Sequence, residues 1–124
     1  MEIVPHLLLL DLTTPLPTPV PPDPPSNLMV TSVGNSSISL SWTNGSNGYS
    51  PFSNVTISYE VDRYPEDGTR AQTFPMGTSA VLVGLHPYSN YTIHVTLSNV
   101  VGFTSNPTNI TATTRSLSKS LYFK

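Results

Sequence analysis

From Ser26 onward, apolar and polar residues alternate with a period of two, and the 3.6-residue spacing of a helix does not occur. Such alternation suits strands that bury one face and hydrate the other. "NLMVTSV" begins the series. "SISLSW" sets Ile38, Leu40 and Trp42 on one face, and "NVTISYEVDRY" does the same with Val55, Ile57, Tyr59 and Val61. "RAQTFP" is a weaker strand, and "SAVLVGL" offers Ala80 and Leu82. "NYTIHVTLSN" turns Tyr91, Ile93, Val95 and Leu97 inward, and "TNITATT" contributes Ile110 and Ala112. Between these runs lie "NGSNG", whose residues tolerate positive φ, and "PEDG", with its Asp-Gly hairpin signal. Seven short strands in about 90 residues predict two antiparallel sheets packed as a sandwich. Pro25 and Pro107 bracket the first and last strands, where proline is tolerated and discourages edge pairing.

The alternation also divides the chain. "PLPTPVPPDPP" carries seven prolines between Pro15 and Pro25, which predicts an extended polyproline spacer. Its PxxP spacings lack a flanking Lys or Arg, so a linker accounts for them better than a ligand of proline-recognition domains. The expected organisation is an N-terminal segment and linker over 1–21, a domain over 22–115 and a tail over 116–124. "MEIVPHLLLL" has Glu2 in place of a basic start, and its apolar run stops at Asp11 with no small-residue cleavage site. No stretch approaches the ~20 apolar residues of a membrane span. The expectation is a piece or variant of a longer protein whose targeting signal lies outside it. The tail, with Leu117, Leu121, Tyr122 and Phe123, fits either the start of a following segment or an altered ending.

How such a sandwich stays hydrated is the next constraint. Charged residues are only 10% of the chain, against roughly 25% in an average soluble domain. Hydration must come from hydroxyls and amides, or from groups attached to them. Asn35, Asn44, Asn54, Asn90 and Asn109 each begin an N-glycosylation acceptor triplet. Five acceptors on so uncharged a domain point to the secretory pathway and to an extracellular or cell-surface location. The outward parity of Asn54, Asn90 and Asn109, and the loop positions of Asn35 and Asn44, make all five accessible by expectation. A formal net charge of −2 leaves no basic patch to hold phosphates, which argues against nucleic acid.

Catalytic chemistry finds no residues to use. The absence of cysteine removes disulfides, zinc-thiolate sites and thiol nucleophiles together. His6, His86 and His94 fall on different elements and read as solvent-exposed bystanders, so no metal or other cofactor is expected. Asp62, Glu66 and Asp67 cluster around a tight turn, which explains them without acid/base work. Neither a G-x-S-x-G elbow nor a phosphate-cradling glycine loop occurs.

One stretch remains, "LHPYSNYTIHV". The pattern Leu85-x-Pro87-x-x-x-Tyr91 resembles the tyrosine corner of the fibronectin type III family. Pro24-Pro25-x-x-Leu28-x-Val30 resembles the family's opening strand. Trp42 and Tyr59 stand where it keeps core aromatics, and "LSNVVGFTSNP" resembles its Asn-x-x-Gly segment between the last two strands. The resemblance spans roughly residues 22 to 115. It implies an all-β, seven-stranded, immunoglobulin-like sandwich of fibronectin type III topology, with Trp42, Tyr59, Leu85 and Tyr91 in the core. The Tyr91 hydroxyl is expected to meet a backbone acceptor between Leu85 and Pro87.

In function, the resemblance implies an extracellular protein-binding or adhesion module of a larger receptor-like glycoprotein, without catalysis. A structural spacer is the alternative, as is an ectodomain fragment of a receptor tyrosine kinase or phosphatase whose catalytic domain lies outside the chain. In this topology the second-to-third and sixth-to-seventh strand loops share one pole. Those loops carry Tyr49, Phe52, Val100, Val101 and Phe103, the expected contact residues for a protein partner, with Asn44, Asn54 and Asn109 expected nearby.

Overall fold

The structure, a computed structural model, describes residues 16–117. Seven strands form: β1 (Ser26–Val33), β2 (Ile38–Thr43), β3 (Phe52–Val61), β4 (Arg70–Pro75), β5 (Ser79–Leu82), β6 (Asn90–Asn99) and β7 (Thr108–Thr113). They pair antiparallel into a three-stranded sheet, β1-β2-β5, and a four-stranded sheet, β4-β3-β6-β7. The sandwich predicted from the alternation is the fold. β3 starts two residues earlier than its alternation suggests, because Phe52 pairs with Asn99 across a register irregularity. β5 stops at Leu82, ahead of Gly84, whose φ of 75° turns the chain out of the sheet.

Parity explains the core. Ile38, Leu40 and Trp42 face Val55, Ile57, Tyr59 and Val61, together with Tyr91, Ile93, Val95 and Leu97, and all are buried. Ala80, Leu82 and Leu85 complete the cluster. The polar partners of these residues alternate onto the outer faces. β1 contributes only half-buried Leu28, Val30 and Val33, because two register shifts break its alignment with β2. Along the opposite rim, the Gln72 amide joins the two sheet edges, donating to the Tyr59 hydroxyl at 2.8 Å and to Val83 O at 3.0 Å.

Tyr91 lies at the mouth of β6 with its ring buried, tilted against Tyr59 at a centroid distance of 6.0 Å. Its hydroxyl meets the corner in the opposite sense to the one expected from sequence: the His86 N–H donates to Tyr91 Oη at 2.7 Å. The His86 carbonyl is already taken by the Thr114 hydroxyl at 2.7 Å, so the corner's unmet need is a donor's. Burial pushes the Tyr91 phenol above its ordinary range, and the His86 N–H partly offsets that. Tyr91→Phe therefore strands a backbone N–H. The expected loss is about 1–3 kcal/mol in urea unfolding with an unchanged m-value. A variant as stable as the parent would show that water replaces the phenol there.

Candidate functional site

The loops β2–β3 and β6–β7 meet at one end of the sandwich, and a single buried side chain holds them together. Asn99 is 2% exposed and continues the inward parity of β6. Its Nδ2 donates to Val20 O and Asn47 O, each at 3.1 Å, and its Oδ1 accepts from the Phe103 N–H at 3.1 Å. The β6–β7 turn closes on itself through Gly102 N–H to Asn99 O at 2.9 Å and Asn99 N–H to Phe103 O at 3.0 Å. Gly102 has φ 99°, a conformation that favours glycine. Val100 N–H then donates to Pro51 O at 2.8 Å, joining the turn to the β2–β3 loop.

The end of the proline-rich segment belongs to this pole. Val20 N–H donates to Gly48 O and Asp23 N–H to Ser46 O, both at 2.9 Å, while Ser46 N–H donates to Asp23 Oδ2 at 3.0 Å. A Cβ on Gly48 would stand 1.9 Å from Val20 O, so only glycine lets the two backbones approach this closely. The extended-spacer reading therefore does not hold for Val20–Asp23. Those residues are docked.

Around this frame, Tyr49 is 65% exposed, Val100 61%, Val101 52% and Phe103 43%. Tyr49 adopts φ 62°, an uncommon conformation for a bulky residue, with its N–H held by Asn47 Oδ1 at 3.1 Å. Tyr88, before β6, shares both features, with φ 49° and 65% exposure, so the conformation by itself does not mark a contact position. Phe52 corrects the contact set expected from sequence. As the first residue of β3 it is half-buried and packs on the core, so it does not belong to the exposed surface.

The acceptor asparagines are not equivalent. Asn35 is exposed beyond the end of β1. Asn54, Asn90 and Asn109 lie on the outer face of the four-stranded sheet. Asn109 pairs with His94 in mid-sheet, away from the pole where it was expected. Asn44 is half-buried and in use: its Oδ1 accepts from Trp42 Nε1 at 2.9 Å, and its Nδ2 donates to Gly77 O at 3.3 Å.

The two described histidines are structural rather than bystanders. His86 stacks on Tyr64 at 3.9 Å and meets Asp67 Oδ2 at 2.9 Å. His94 bridges Asn109 Oδ1 at 2.7 Å and Glu60 Oε1 at 3.1 Å. The bond to Asn109 raises its pKa above the usual histidine range, with Glu60 adding to the rise and burial opposing it. His6 lies outside the described residues. A cleft of about 230 Å³, lined by Tyr59, Asp67, Arg70, His86 and Tyr91 among others, opens near the tyrosine corner. There Asp67 Oδ2 meets His86 Nε2 at 2.9 Å, and Asp67 Oδ1 pairs with Arg70 at 3.6 Å. Among the described residues, no group of three or more His, Asp or Glu is placed to hold a metal ion, and no helix is long and apolar enough to cross a membrane.

The residues that alternation alone did not single out are polar and buried: Asn99, Ser50, Ser89, Ser105 and Thr114. Asn99 had a signal in its inward parity. Thr114 continues the inward parity of Ile110 and Ala112, whereas Ser50, Ser89 and Ser105 fall outside the strands, where parity says nothing.

Comparison with known proteins agrees with this geometry. The sequence pattern described as "Fibronectin type III domain" matches residues 23–114. Neuronal cell adhesion molecule of Rattus norvegicus is 33% identical over 99 residues, covering 76% of this chain and 8% of that protein. Contactin-2 of Homo sapiens is 32% identical over 89 residues, covering 66% of this chain and 8% of that protein. The solution structure of the third fibronectin III domain of human KIAA0343 protein superposes with a TM-score of 0.70 at 20% identity, covering 85% of this chain and 90% of that one. The chain therefore spans a small part of these adhesion relatives, and the structural likeness speaks for the fold alone.

Proposed function

This chain belongs to the fibronectin type III family, and from that premise we propose that it is an extracellular protein-binding module of a larger cell-surface adhesion protein. It has no catalysis of its own, and its partners are other proteins. The observation that carries this reading is the pole. Tyr49, Val100, Val101 and Phe103 stand exposed on loops whose backbones are locked by Asn99 and by the docked Val20–Asp23 segment. Rigid loops at the end of a sandwich lose little entropy on binding, and aromatic side chains supply most interface energy.

The test uses a multimerised form of the chain applied to live cells and read by flow cytometry. Replacing Tyr49, Val101 and Phe103 together with serine is expected to weaken binding by about tenfold or more, a change of ~1.4 kcal/mol or above. Stability should shift by no more than about 0.5 kcal/mol per site, as for exposed positions generally. A collapse in stability would place those residues in the core and remove the contact surface.

A spacer role is the second reading, and one observation favours it. Four hydrogen bonds tie Val20 and Asp23 to the pole, which fixes the direction in which the preceding chain leaves the domain. Absence of binding by the unsubstituted chain to every cell type tried would leave this reading standing in place of the first.

A further inference from the structure

Seen from outside, the four-stranded sheet has almost no charge. On the outer face of β3, β6 and β7 the ionisable groups are Glu60 and His94, which bond to each other, with Asp62 just beyond β3 bonded to Asn90. The remaining polar positions are hydroxyls and amides. Three glycan acceptors interrupt this face at a regular interval. Asn54 is level with Ser98 of β6, Asn109 is level with His94, and Asn90 lies in β6 itself. Each step is four residues, or about 13 Å along the strand at ~3.3 Å per residue. The acceptors also fan across the sheet, one on β3, one on β6 and one on β7.

We propose that this face is a glycan-bearing surface, with N-linked carbohydrate at Asn54, Asn90 and Asn109, and that chains modified at Asn44 are excluded from the folded, secreted protein although that triplet is intact. The proposal rests on the secretory-pathway reading. Transfer of the sugar precedes folding, so the fold acts by tolerating or rejecting a chain already modified. At the three outer-face sites it tolerates the modification. Each asparagine lies on the hydrated side of its strand, and the triplet's threonine, two residues on, shares that side: Thr56, Thr92 and Thr111. Asn109 presents its oxygen to His94 Nδ1 at 2.7 Å, which leaves Nδ2 turned away from that contact. Asn90 spends one Nδ2 hydrogen on Asp62 Oδ2 at 2.9 Å and has a second to exchange for a glycosidic bond.

Asn44 differs in kind. Its amide is held between the buried Trp42 indole and the Gly77 carbonyl, and the residue is half-buried. Asn90, also bonded at both ends, is exposed and bonds exposed side chains, and Asn54, also half-buried, lies on the open outer face. A sugar on Nδ2 would have to fit between the strand-end loop and the β4–β5 turn, at the atom that donates to Gly77 O, and moving the amide to make room would pull Oδ1 from the Trp42 indole. The three-stranded sheet carries no acceptor in β1, β2 or β5. Carbohydrate would therefore cover one broad face of the sandwich and leave the other uncovered.

The experiment directs the full chain into the secretory pathway of a mammalian host and releases glycans with a peptide N-glycosidase, an amidase that hydrolyses the asparagine–sugar bond, in heavy-oxygen water. Formerly occupied asparagines are then marked as labelled aspartates in peptide mass spectra. Label at two or more of Asn54, Asn90 and Asn109, with Asn44 unlabelled in the folded, secreted fraction, is the expected result. Label at Asn44 in that fraction, or at fewer than two of the three face sites, overturns the proposal. Because the route is imposed, the outcome reports on the acceptors themselves and is separable from a failure of the cell-binding test above. A second readout guards the Asn44 assignment. Asn44→Gln is expected to lower the melting temperature of unglycosylated protein, whereas Asn54→Gln is not, and equal melting of both variants also overturns it.

Discussion

Trp42→Ala is expected to cost about 3–5 kcal/mol of unfolding free energy, the range for truncating a buried aromatic side chain. Trp42 is 5% exposed and lies at the end of a strand whose inward residues, Ile38 and Leu40, are fully packed. Two effects add. The first is the cavity left between the sheets, which the close-packed core can only partly refill. The second is polar: the Asn44 amide loses the indole N–H bonded to it at 2.9 Å and keeps only its bond to Gly77. Trp42→Phe largely separates the two, because it keeps an aromatic ring in the core and removes the N–H with only part of the volume. Its cost should fall to about 1–3 kcal/mol, the penalty for a stranded polar group. Circular dichroism during urea unfolding is the suitable probe, since Trp42 is the chain's one tryptophan and its fluorescence leaves with it. Domains of this size hold roughly 5–15 kcal/mol in total. The alanine variant should therefore show a population of unfolded chain well below the parent's midpoint, and an unaltered midpoint would mean that Trp42 is not packed.

Period-two alternation made the sheets legible because burial on one side is a local, repeating demand. Ile57 is inward for the same reason as Val55 and Tyr59, and no distant residue has to be known to say so. Tyr91 was legible through its spacing from Leu85 and Pro87, but the direction of its hydrogen bond was not. That direction depends on Thr114, 28 residues beyond His86, having already claimed the corner's carbonyl. The histidines failed for a related reason. His94 follows outward parity, yet Glu60 and Asn109 reach it from neighbouring strands 34 and 15 residues away in sequence. Phe52 reads as a loop residue because it follows a Gly-, Ser- and Pro-bearing run, and the irregular register that lets it pair with Asn99 has no mark in the sequence. The docking of Val20 was invisible for the plainest reason: proline content forbids helix and central strand, but it does not say what an extended segment lies against.

Asn99→Asp is the second large effect expected, and it tests how the pole is held. The substitution keeps the shape of the side chain and replaces a donor by a carboxylate oxygen. That oxygen would face the carbonyls of Val20 and Asn47, which the native Nδ2 reaches at 3.1 Å. Two favourable contacts become two repulsive ones at a site only 2% exposed. Stranding several buried groups together should cost about 2–4 kcal/mol at neutral pH, less than the sum of separate penalties because the loops can yield to water. The loss should shrink in acid, and the sign follows from linkage. A carboxylate held against carbonyl oxygens in a dry site has a folded pKa above its unfolded value of ~3.9, so between those two values the native state binds more protons. Stability of the variant then rises as pH falls through the folded pKa, relative to the parent, because the introduced carboxyl, once protonated, can donate to one of the two carbonyls again. Asn99→Ala, with no proton to gain, should show the destabilisation without that recovery. Amide exchange at Val20 and Asp23, whose N–H groups bond Gly48 and Ser46, reports the local consequence. In both variants these two amides should lose protection ahead of those in β3 and β6, because release of Val20 requires only the pole to open. Native-like protection at Val20 in Asn99→Asp would show that the segment is held without Asn99. In that case the rigidity attributed to the pole must come from Gly48 and Asp23 alone.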